Sequence, residues 1–310
     1  MTRKNSAGVG LAQTRTGALV HSRYAPWIFA VPAVIVILVL RYVPSLVGGA
    51  YAFTNWDGTS LNADFVGLRN FVSIFTDPTT SGALWHTLFL AGAYVVATNA
   101  IGMALAVALK KTLKTRSLLR ALFFLPFALS QLATAYIWQF IFAYNGPINY
   151  FLDKLHLESL KHTWLGEPGV ALVAILVVMI WQYTGMTMVI YMAGLEGIPE
   201  ELHEAAMVDG AGPWKRFRHI TFPLLAPALT TSCTLTLVFG LGVFDQIIAL
   251  TNGGPSSATE TIATQVFKQT FVYGFFGEGS AMAVLFAALV TLFAIIQMLI
   301  LRRREERLDK

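Results

Sequence analysis

Residues 194–223 read GLEGIPEELHEAAMVDGAGPWKRFRHITFP, a polar connection between two long apolar runs. Pro199 stands where the first position of a helix would be, and Glu200 and Glu201 favour the positive end of a helix dipole. Gly210 can end such a helix. The pattern therefore predicts a short surface helix over 199–209. Pro213 predicts the start of a second, basic and amphipathic segment suited to a membrane surface.

The apolar runs on either side of this connection are long enough to cross a bilayer, which takes about 20 mainly apolar residues per helix. The whole chain has this character, since 55% of its 310 residues are hydrophobic and 13% are charged. This composition excludes disordered, fibrous and nucleic-acid-binding proteins. It predicts an all-α, polytopic membrane protein with six transmembrane helices at 26–46, 83–109, 121–143, 170–193, 224–250 and 281–301.

The basic residues predict the orientation of these spans. Of the 22 Lys and Arg residues, 17 fall in the N-terminal tail (1–25), the second connection, the 194–223 connection and the C-terminal tail (302–310). Such residues accumulate on the cytoplasmic side of membranes. We therefore expect both termini and the 194–223 connection in the cytoplasm, with residues 26–301 forming the transmembrane domain.

The first apolar run is also followed by Ala50-Tyr51-Ala52, which has the small-x-small pattern of a signal cleavage site. However, the run is longer than the roughly 7 to 15 apolar residues of a signal peptide. It also contains Arg41, which suits a retained helix anchored by a long basic side chain. We expect this run to remain as the first span.

A gapped pattern inside the 194–223 connection resembles a known family. Glu204-Ala-Ala is followed after three residues by Gly210 and, after nine more, by Ile220-x-Phe222-Pro223. This pattern resembles the EAA loop of the inner-membrane permease subunits of binding-protein-dependent ABC importers, although Phe222 replaces the usual Leu. Segments that are similar to landmarks of the carbohydrate-uptake branch occur at 53–58, 65–71, 124–126, 250–255 and 279–283. His86-Thr87 departs from the usual Asn-Thr.

The resemblance implies an ABC importer type I permease fold and a function in the cytoplasmic (inner) membrane of a prokaryote. It implies a subunit that translocates a sugar or oligosaccharide delivered by an extracytoplasmic solute-binding protein. The other implied partners are a second permease subunit, expected to form a heterodimer with this one, and a cytoplasmic ABC ATPase dimer. The surface helix would be the coupling helix that docks on this ATPase, with the motif residues Glu204, Ala205, Ala206, Asp209, Gly210, Ile220 and Pro223.

The chain has no G-x-x-x-x-G-K-[ST] phosphate loop, no H-E-x-x-H and no Gly-x-Ser-x-Gly. We therefore expect a transport subunit without a catalytic or metal site of its own. Its implied ATPase partner would bind the cofactors ATP and magnesium. The remaining partners that we expect are membrane lipid and a carbohydrate substrate, and no nucleic acid.

Polar residues within the predicted spans are candidates for the substrate path, because a sugar needs hydrogen-bonding groups and an aromatic surface. They are Asn99, Gln131, Trp138, Tyr183, Asp245 and Gln246. The alternative is that these side chains only hydrogen-bond between helices, as polar residues in membranes commonly do. Asp245 differs from the others, since an unpaired carboxylate in lipid is costly and should face a cavity, a partner subunit or the outer surface.

Two other functions are compatible with parts of the pattern. An ion-coupled secondary sugar transporter would be expected to show more carboxylates within its spans than Asp245 alone. An ABC permease for an anionic solute, such as a glycerol phosphate ester, would be expected to carry more Lys and Arg there. Both therefore rank below the sugar importer.

Overall fold

A computed structural model describes residues 25–60, 62–110 and 115–308, with side chains over 30–60, 62–110 and 115–301. These residues form helices, turns and irregular segments, with no β-strand among them. Residues 1–24 of the predicted N-terminal tail and the basic residues 111 and 114 lie outside the described residues. The α-helices are α1 (Ala25–Ile37), α2 (Val43–Tyr51), α3 (Arg69–Thr76), α4 (Pro78–Lys110), α5 (Arg116–Ala128), α6 (Gln131–Ile141), α7 (Pro147–Lys154), α8 (Val170–Glu196), α9 (Glu200–Val208), α10 (Pro213–Arg216), α11 (Phe222–Leu224), α12 (Ala226–Leu241), α13 (Asp245–Leu250), α14 (Ile262–Phe267) and α15 (Phe276–Leu308).

Four helical segments are long and apolar enough to cross a membrane: Ala30–Tyr51, Pro78–Lys110, Val170–Glu196 and Phe276–Leu301. They cover four of the predicted spans. The first is continuous because a π-helical turn at Leu38–Tyr42 joins α1 to α2. The last belongs to a helix that continues to Leu308, so the expected C-terminal tail begins as helix. Two bent helix pairs raise the number of spans to six if each pair is counted once.

The third predicted span, 121–143, is not one helix, and this part of the prediction is wrong. The chain bends by 101° between α5 and α6. Leu129 is extended, and the Ser130 hydroxyl caps a new helix by accepting a hydrogen bond from the Ala133 amide at 3.2 Å. The Leu129 carbonyl, which has left its helix, accepts a hydrogen bond from the Gln182 side chain at 3.2 Å. Hydropathy does not detect such a capped break.

The fifth predicted span, 224–250, is also wrong as a single helix. The segment Pro213–Leu224 is bent by 67° from α12. Helix α12 then ends at Leu241, and the chain forms the short helix α13 after three non-helical residues. In this second break, the Val243 carbonyl accepts a hydrogen bond from the Thr261 hydroxyl at 3.1 Å. Both breaks are thus stabilised by a side chain from another segment.

Helix α8 lies at the centre of the packing and contacts α4, α5 and α12. Its apolar and small residues point in all directions, which is typical of a buried helix. The backbones approach closely at two glycines. A Cβ atom on Gly102 of α4 would collide with Thr187 of α8, and one on Gly185 of α8 would collide with the Phe123 backbone. Only glycine fits at these two positions without moving the neighbouring helix.

Residues 25–48 form a unit of their own, with the rest of the described chain forming a second unit. The side chains of the first unit are exposed from Ala30 to Val47. They are mainly Val, Ile and Leu, which suits contact with lipid. Arg41 lies in the π-helical turn, and its carbonyl accepts a hydrogen bond from the Ser45 hydroxyl at 2.7 Å.

We predict that Gly102→Val destabilises the protein by about 1–3 kcal/mol, because the added side chain forces α4 away from α8. Gly92→Val is a matched control in the same helix, since a Cβ atom there would have no neighbour within 4 Å. The measurement is thermal unfolding of both variants in mild detergent. A melting temperature of Gly102→Val equal to that of Gly92→Val would contradict the close contact.

Candidate functional site

The predicted surface helix exists as α9, over Glu200–Val208. Pro199 caps the helix instead of forming its first residue, with φ −56° and ψ 133°. Gly210 has φ +74°, a left-handed conformation that favours glycine and turns the chain back towards Pro213. The motif residues Glu204, Ala205, Asp209 and Gly210 are exposed, while Ala206, Ile220 and Pro223 are half-buried.

Helix α9 and the residue before Pro199 are buried on one side only. Ile198 is buried in a cluster with Leu195 and Leu225, and His203 is 9% exposed. Leu202 and Ala205, which share helical spacing with Ile198, are exposed instead. The helix therefore rests on the protein through its His203 side. It presents Leu202, Glu204 and Ala205 outward.

Ion pairs lie around the start of this helix. Lys110 Nζ at the end of α4 lies 3.4 Å from a Glu200 carboxylate oxygen. Arg116 and Arg120 of α5 lie 3.6 and 3.5 Å from Glu196, at the end of α8. Such exposed pairs contribute little individually. The Lys110–Glu200 pair shows that α9 lies at the Lys110 end of α4.

His203 is the titratable group beneath α9. Burial lowers the pKa of its imidazole, Lys110 and Arg216 nearby lower it further, and Glu200 opposes them. The Nε2 atom is buried and has no hydrogen-bond partner in the described part of the chain. The arrangement therefore favours the neutral imidazole.

Four of the six candidate path residues meet at one small cavity of about 100 Å³, namely Gln131, Tyr183, Asp245 and Gln246. Gln131 Nε2 donates a hydrogen bond to the Tyr183 hydroxyl at 2.8 Å. Gln246 Nε2 donates to Gln182 Oε1 at 3.3 Å. Residues from α6, α8 and α13 thus form one group, which we call the polar pocket.

Asp245 is the exposed charged residue of the polar pocket. It is the first residue of α13, directly after the break at 242–244, and so does not lie inside a continuous spanning helix. Val238 and Gly242, which precede it in the chain, also line the pocket. The expectation that the Asp245 carboxylate faces a cavity is met.

Trp138 and Asn99 do not line the polar pocket. Trp138 packs against the rings of Phe142 and Trp181, with centroids 5.0 and 5.5 Å away. Its indole Nε1 is buried without a hydrogen-bond partner among the described residues. Asn99 donates to the Thr236 hydroxyl at 2.9 Å and accepts from the Tyr191 hydroxyl at 2.7 Å. Asn99 therefore joins α4, α8 and α12, as the helix-packing alternative requires.

Sequence reasoning missed several residues at these sites. Tyr94 and Phe239 line the polar pocket and contact the ring of Tyr183, at 5.9 and 5.4 Å between centroids. Both lie in apolar runs, where a single aromatic residue carries no distinguishing signal. Gln182 was visible beside Tyr183 in the sequence, but its role in capping Leu129 depends on the bend. In the part of the chain that the structure describes, no group of three or more His, Cys, Asp or Glu residues could hold a metal ion.

Comparisons with known proteins agree with this architecture. Residues 98–307 match the family described as the inner membrane component of binding-protein-dependent transport systems. A probable starch degradation products transport system permease protein of Thermoanaerobacterium thermosulfurigenes is 32% identical, over 90% of this chain and 94% of its own. The multiple sugar-binding transport system permease protein MsmF of Streptococcus mutans is 32% identical, over 92% and 98%.

A solved structure shares the fold. It belongs to a bacterial ABC transporter involved in the import of the acidic polysaccharide alginate. The TM-score is 0.80 at 22% identity, and the match covers 90% of this chain and 96% of the solved one. The likeness supports an ABC importer type of permease fold.

We predict that the α9 helix loses stability as the pH falls. The pKa of His203 is lower in the folded protein than its ordinary value of 6.5, so the folded state resists protonation and its advantage shrinks below about pH 6.5. Hydrogen-exchange protection of residues 200–208 should therefore fall between pH 7.5 and 5.5. His203→Gln should flatten this dependence, whereas His219→Gln, at an exposed position of the same connection, should not. Identical profiles for all three proteins would contradict the assignment.

Proposed function

Because this chain belongs to the family of inner-membrane components of binding-protein-dependent transport systems, we propose that it is a permease subunit for a sugar or oligosaccharide. Family membership places it among ABC importers, and not among ion-coupled secondary transporters. The chain is a transport component and not an enzyme. We propose that ATP and magnesium bind to a partner ATPase dimer, and that both termini are cytoplasmic.

The observation that carries the sugar assignment is the polar pocket. Amide, phenol and carboxylate groups suit the hydroxyl groups of a sugar, and the rings of Tyr94, Tyr183 and Phe239 supply an apolar surface. Among the side chains that the structure describes, no Lys or Arg lines this pocket. A neutral carbohydrate therefore fits it better than a phosphate ester. The names of the two relatives, which refer to starch degradation products and multiple sugars, support the same class.

The size of the polar pocket supports a second permease subunit. Small-molecule sites occupy about 300–1,000 Å³, whereas this pocket has about 100 Å³. A sugar ring needs further wall and volume from another chain. We propose that a similar permease completes the pocket, forming a heterodimer, and that an extracytoplasmic binding protein delivers the solute to it.

The exposed face of α9 supports the ATPase partner. Small residues at Ala205 and Ala206 permit close approach, and Glu204 and Asp209 are free to pair with basic groups of a cleft. The opposite side of α9 is attached to α4 and α8 through Lys110, Glu200 and the buried Ile198. A movement of the ATPase would thus be carried into the membrane helices.

We predict that Glu204→Lys uncouples ATP hydrolysis from transport, because it reverses the charge at the centre of the outward face of α9. Gly210→Pro should act similarly, since proline cannot adopt φ +74°. Uptake of labelled maltose should fall at least about tenfold while the subunit stays in the membrane and the complex still hydrolyses ATP. Glu158→Lys, an exposed charge reversal at the other end of the molecule, is the control. Normal uptake by both Glu204→Lys and Gly210→Pro would contradict the proposal.

We predict that Gln131→Ala and Asp245→Ala change uptake kinetics without changing complex assembly. Each removes a group that can bind a sugar hydroxyl, which costs about tenfold in affinity. Trp138 lies outside the polar pocket, and Trp138→Ala tests whether its packing against Phe142 and Trp181 affects uptake. Asn99→Ala should instead lower the melting temperature, because it removes the hydrogen bonds by which α4 joins Thr236 of α12 and Tyr191 of α8. Unaltered uptake by Gln131→Ala, Trp138→Ala and Asp245→Ala would remove these residues from the substrate path.

A further inference from the structure

A second polar cavity lies at the opposite end of α4 from the α9 helix. It has a volume of about 540 Å³, and its walls include Asp77, Thr79, Gln265, Lys268, Gln269 and Glu278. Helix α4 begins at Pro78, beside this cavity, and ends at Lys110, beside α9. Its 33 residues span about 50 Å. We call this space the distal cavity, since a full membrane thickness separates it from α9.

The distal cavity has a preformed floor. Glu260 is 2% exposed, forms an ion pair with Lys268, and accepts a hydrogen bond from the Thr264 hydroxyl at 2.5 Å. Lys268 Nζ also donates to the Asn252 carbonyl at 2.8 Å. Gly253, with φ +85°, lies over the Glu260 carboxylate, where a Cβ atom would collide. These contacts satisfy the charges of the floor internally.

The groups that remain available in this cavity are mostly neutral. Asp77 is already engaged, because it accepts hydrogen bonds from the Thr80 amide and hydroxyl at 2.8 and 2.7 Å. Gln265 is 5% exposed and lines the cavity. Gln269 also lines it, and its Oε1 atom is buried with no hydrogen-bond partner among the described residues. Gln265, the amide nitrogen of Gln269 and the Glu278 carboxylate thus line the cavity without a hydrogen bond to another described side chain, whereas Gln269 Oε1 points away from the open space.

These groups match one ligand chemistry. A side-chain amide donates and accepts at once, which suits adjacent hydroxyl groups of a sugar, and a carboxylate accepts from a hydroxyl pair. The volume falls within the range of about 300–1,000 Å³ for small-molecule sites, unlike that of the polar pocket. An anion is disfavoured because the Lys268 charge is compensated by Glu260.

The distal cavity and the polar pocket share a wall. Thr261, next to Glu260, donates its hydroxyl to the carbonyl of Val243, which lines the polar pocket. Phe244 of the polar pocket packs against Phe267, beside Lys268, with ring centroids 5.4 Å apart. Segment 260–268 therefore lies between the two polar spaces.

We propose that the distal cavity is a binding site for a neutral carbohydrate on the side of the membrane remote from α9, separate from the polar pocket. The inference rests on the proposed sugar-transport function. The cavity holds the sugar through Gln265, Gln269 and Glu278 before it enters the polar pocket. A basic side chain of a docked protein is the competing occupant, and the available amides favour the sugar.

The test measures sugar binding without a binding protein. The full-length chain, copurified with its partner subunits, is placed in lipid nanodiscs, and saturation-transfer NMR records its binding of maltose and maltotriose. Gln265→Met and Gln269→Met keep the side-chain size but remove the amide, and Thr79→Val is a milder change at the rim. Gln297→Met, the same exchange in α15 away from both cavities, is the matched control. Assembly and melting temperature are compared in all samples.

We expect the two glutamine variants to weaken binding about tenfold each, with Thr79→Val intermediate and Gln297→Met unchanged. Wild-type-like binding in Gln265→Met and Gln269→Met, together with loss in Asp245→Ala, would overturn the proposal and leave the polar pocket as the sugar site. Intact sugar binding by both glutamine variants, together with lost capture of a binding protein in a separate pull-down, would mean that the cavity holds a protein side chain and would also overturn the proposal. Failure of the wild-type complex to bind either sugar would overturn it too.

The proposed function stands on a separate measurement. ATP-dependent uptake of a sugar by the wild-type complex supports the proposed importer function, even if the distal cavity variants bind sugar as the wild type does. The absence of sugar uptake, with or without a binding protein, would instead contradict the function itself. The two failures are therefore distinguishable.

Discussion

Inside a bilayer every backbone carbonyl and amide must find a partner within the protein, and the architecture of this chain follows from that requirement. Where the chain is helical, the backbone groups of the helix are partners for one another. Where a helix breaks, a side chain supplies the missing partner: Gln182 donates to the Leu129 carbonyl, and Thr261 donates to the Val243 carbonyl. The two breaks can therefore exist at membrane depth without exposing backbone polar groups to lipid.

The breaks also create the candidate site. A regular helix through 121–143 or 224–250 would point its polar residues along one stripe and leave no concave surface. The bend at Leu129 brings Gln131 to the Tyr183 hydroxyl, and the break after Leu241 places Asp245 on an accessible surface. Irregular backbone within a membrane is tolerated where it lines a cavity. The polar pocket lies where this rule permits it.

The sequence predicted the elements whose signals are local. The buried helix α8 was predicted from its apolar run, and α9 from Pro199, the two glutamates and Gly210. The breaks were not predictable, because Ser130 caps a helix only after Leu129 has become extended, and hydropathy is averaged over both sides. For the same reason, Asn99 and Gln131 were equivalent candidates in the sequence. Only the packing of α4 against α12 shows that Asn99 has its hydrogen bonds satisfied.

The contact of α4 with α8 gives the two ends of the molecule a mechanical connection. Gly102 leaves no side chain between these helices, so α4 packs closely against α8 at Thr187. At one end, Lys110 and Glu196 are tied to α9 and α5 by ion pairs. At the other end, His86 of α4 contacts the Glu260 carbonyl at 3.0 Å, and Thr87 accepts a hydrogen bond from the Ile262 amide at the same distance. Contiguous contacts thus run from α9 along α4 to segment 260–268, which lies between the two polar spaces. If α9 docks on an ATPase as we propose, these contacts are the physical route by which its displacement would reach the proposed sugar sites.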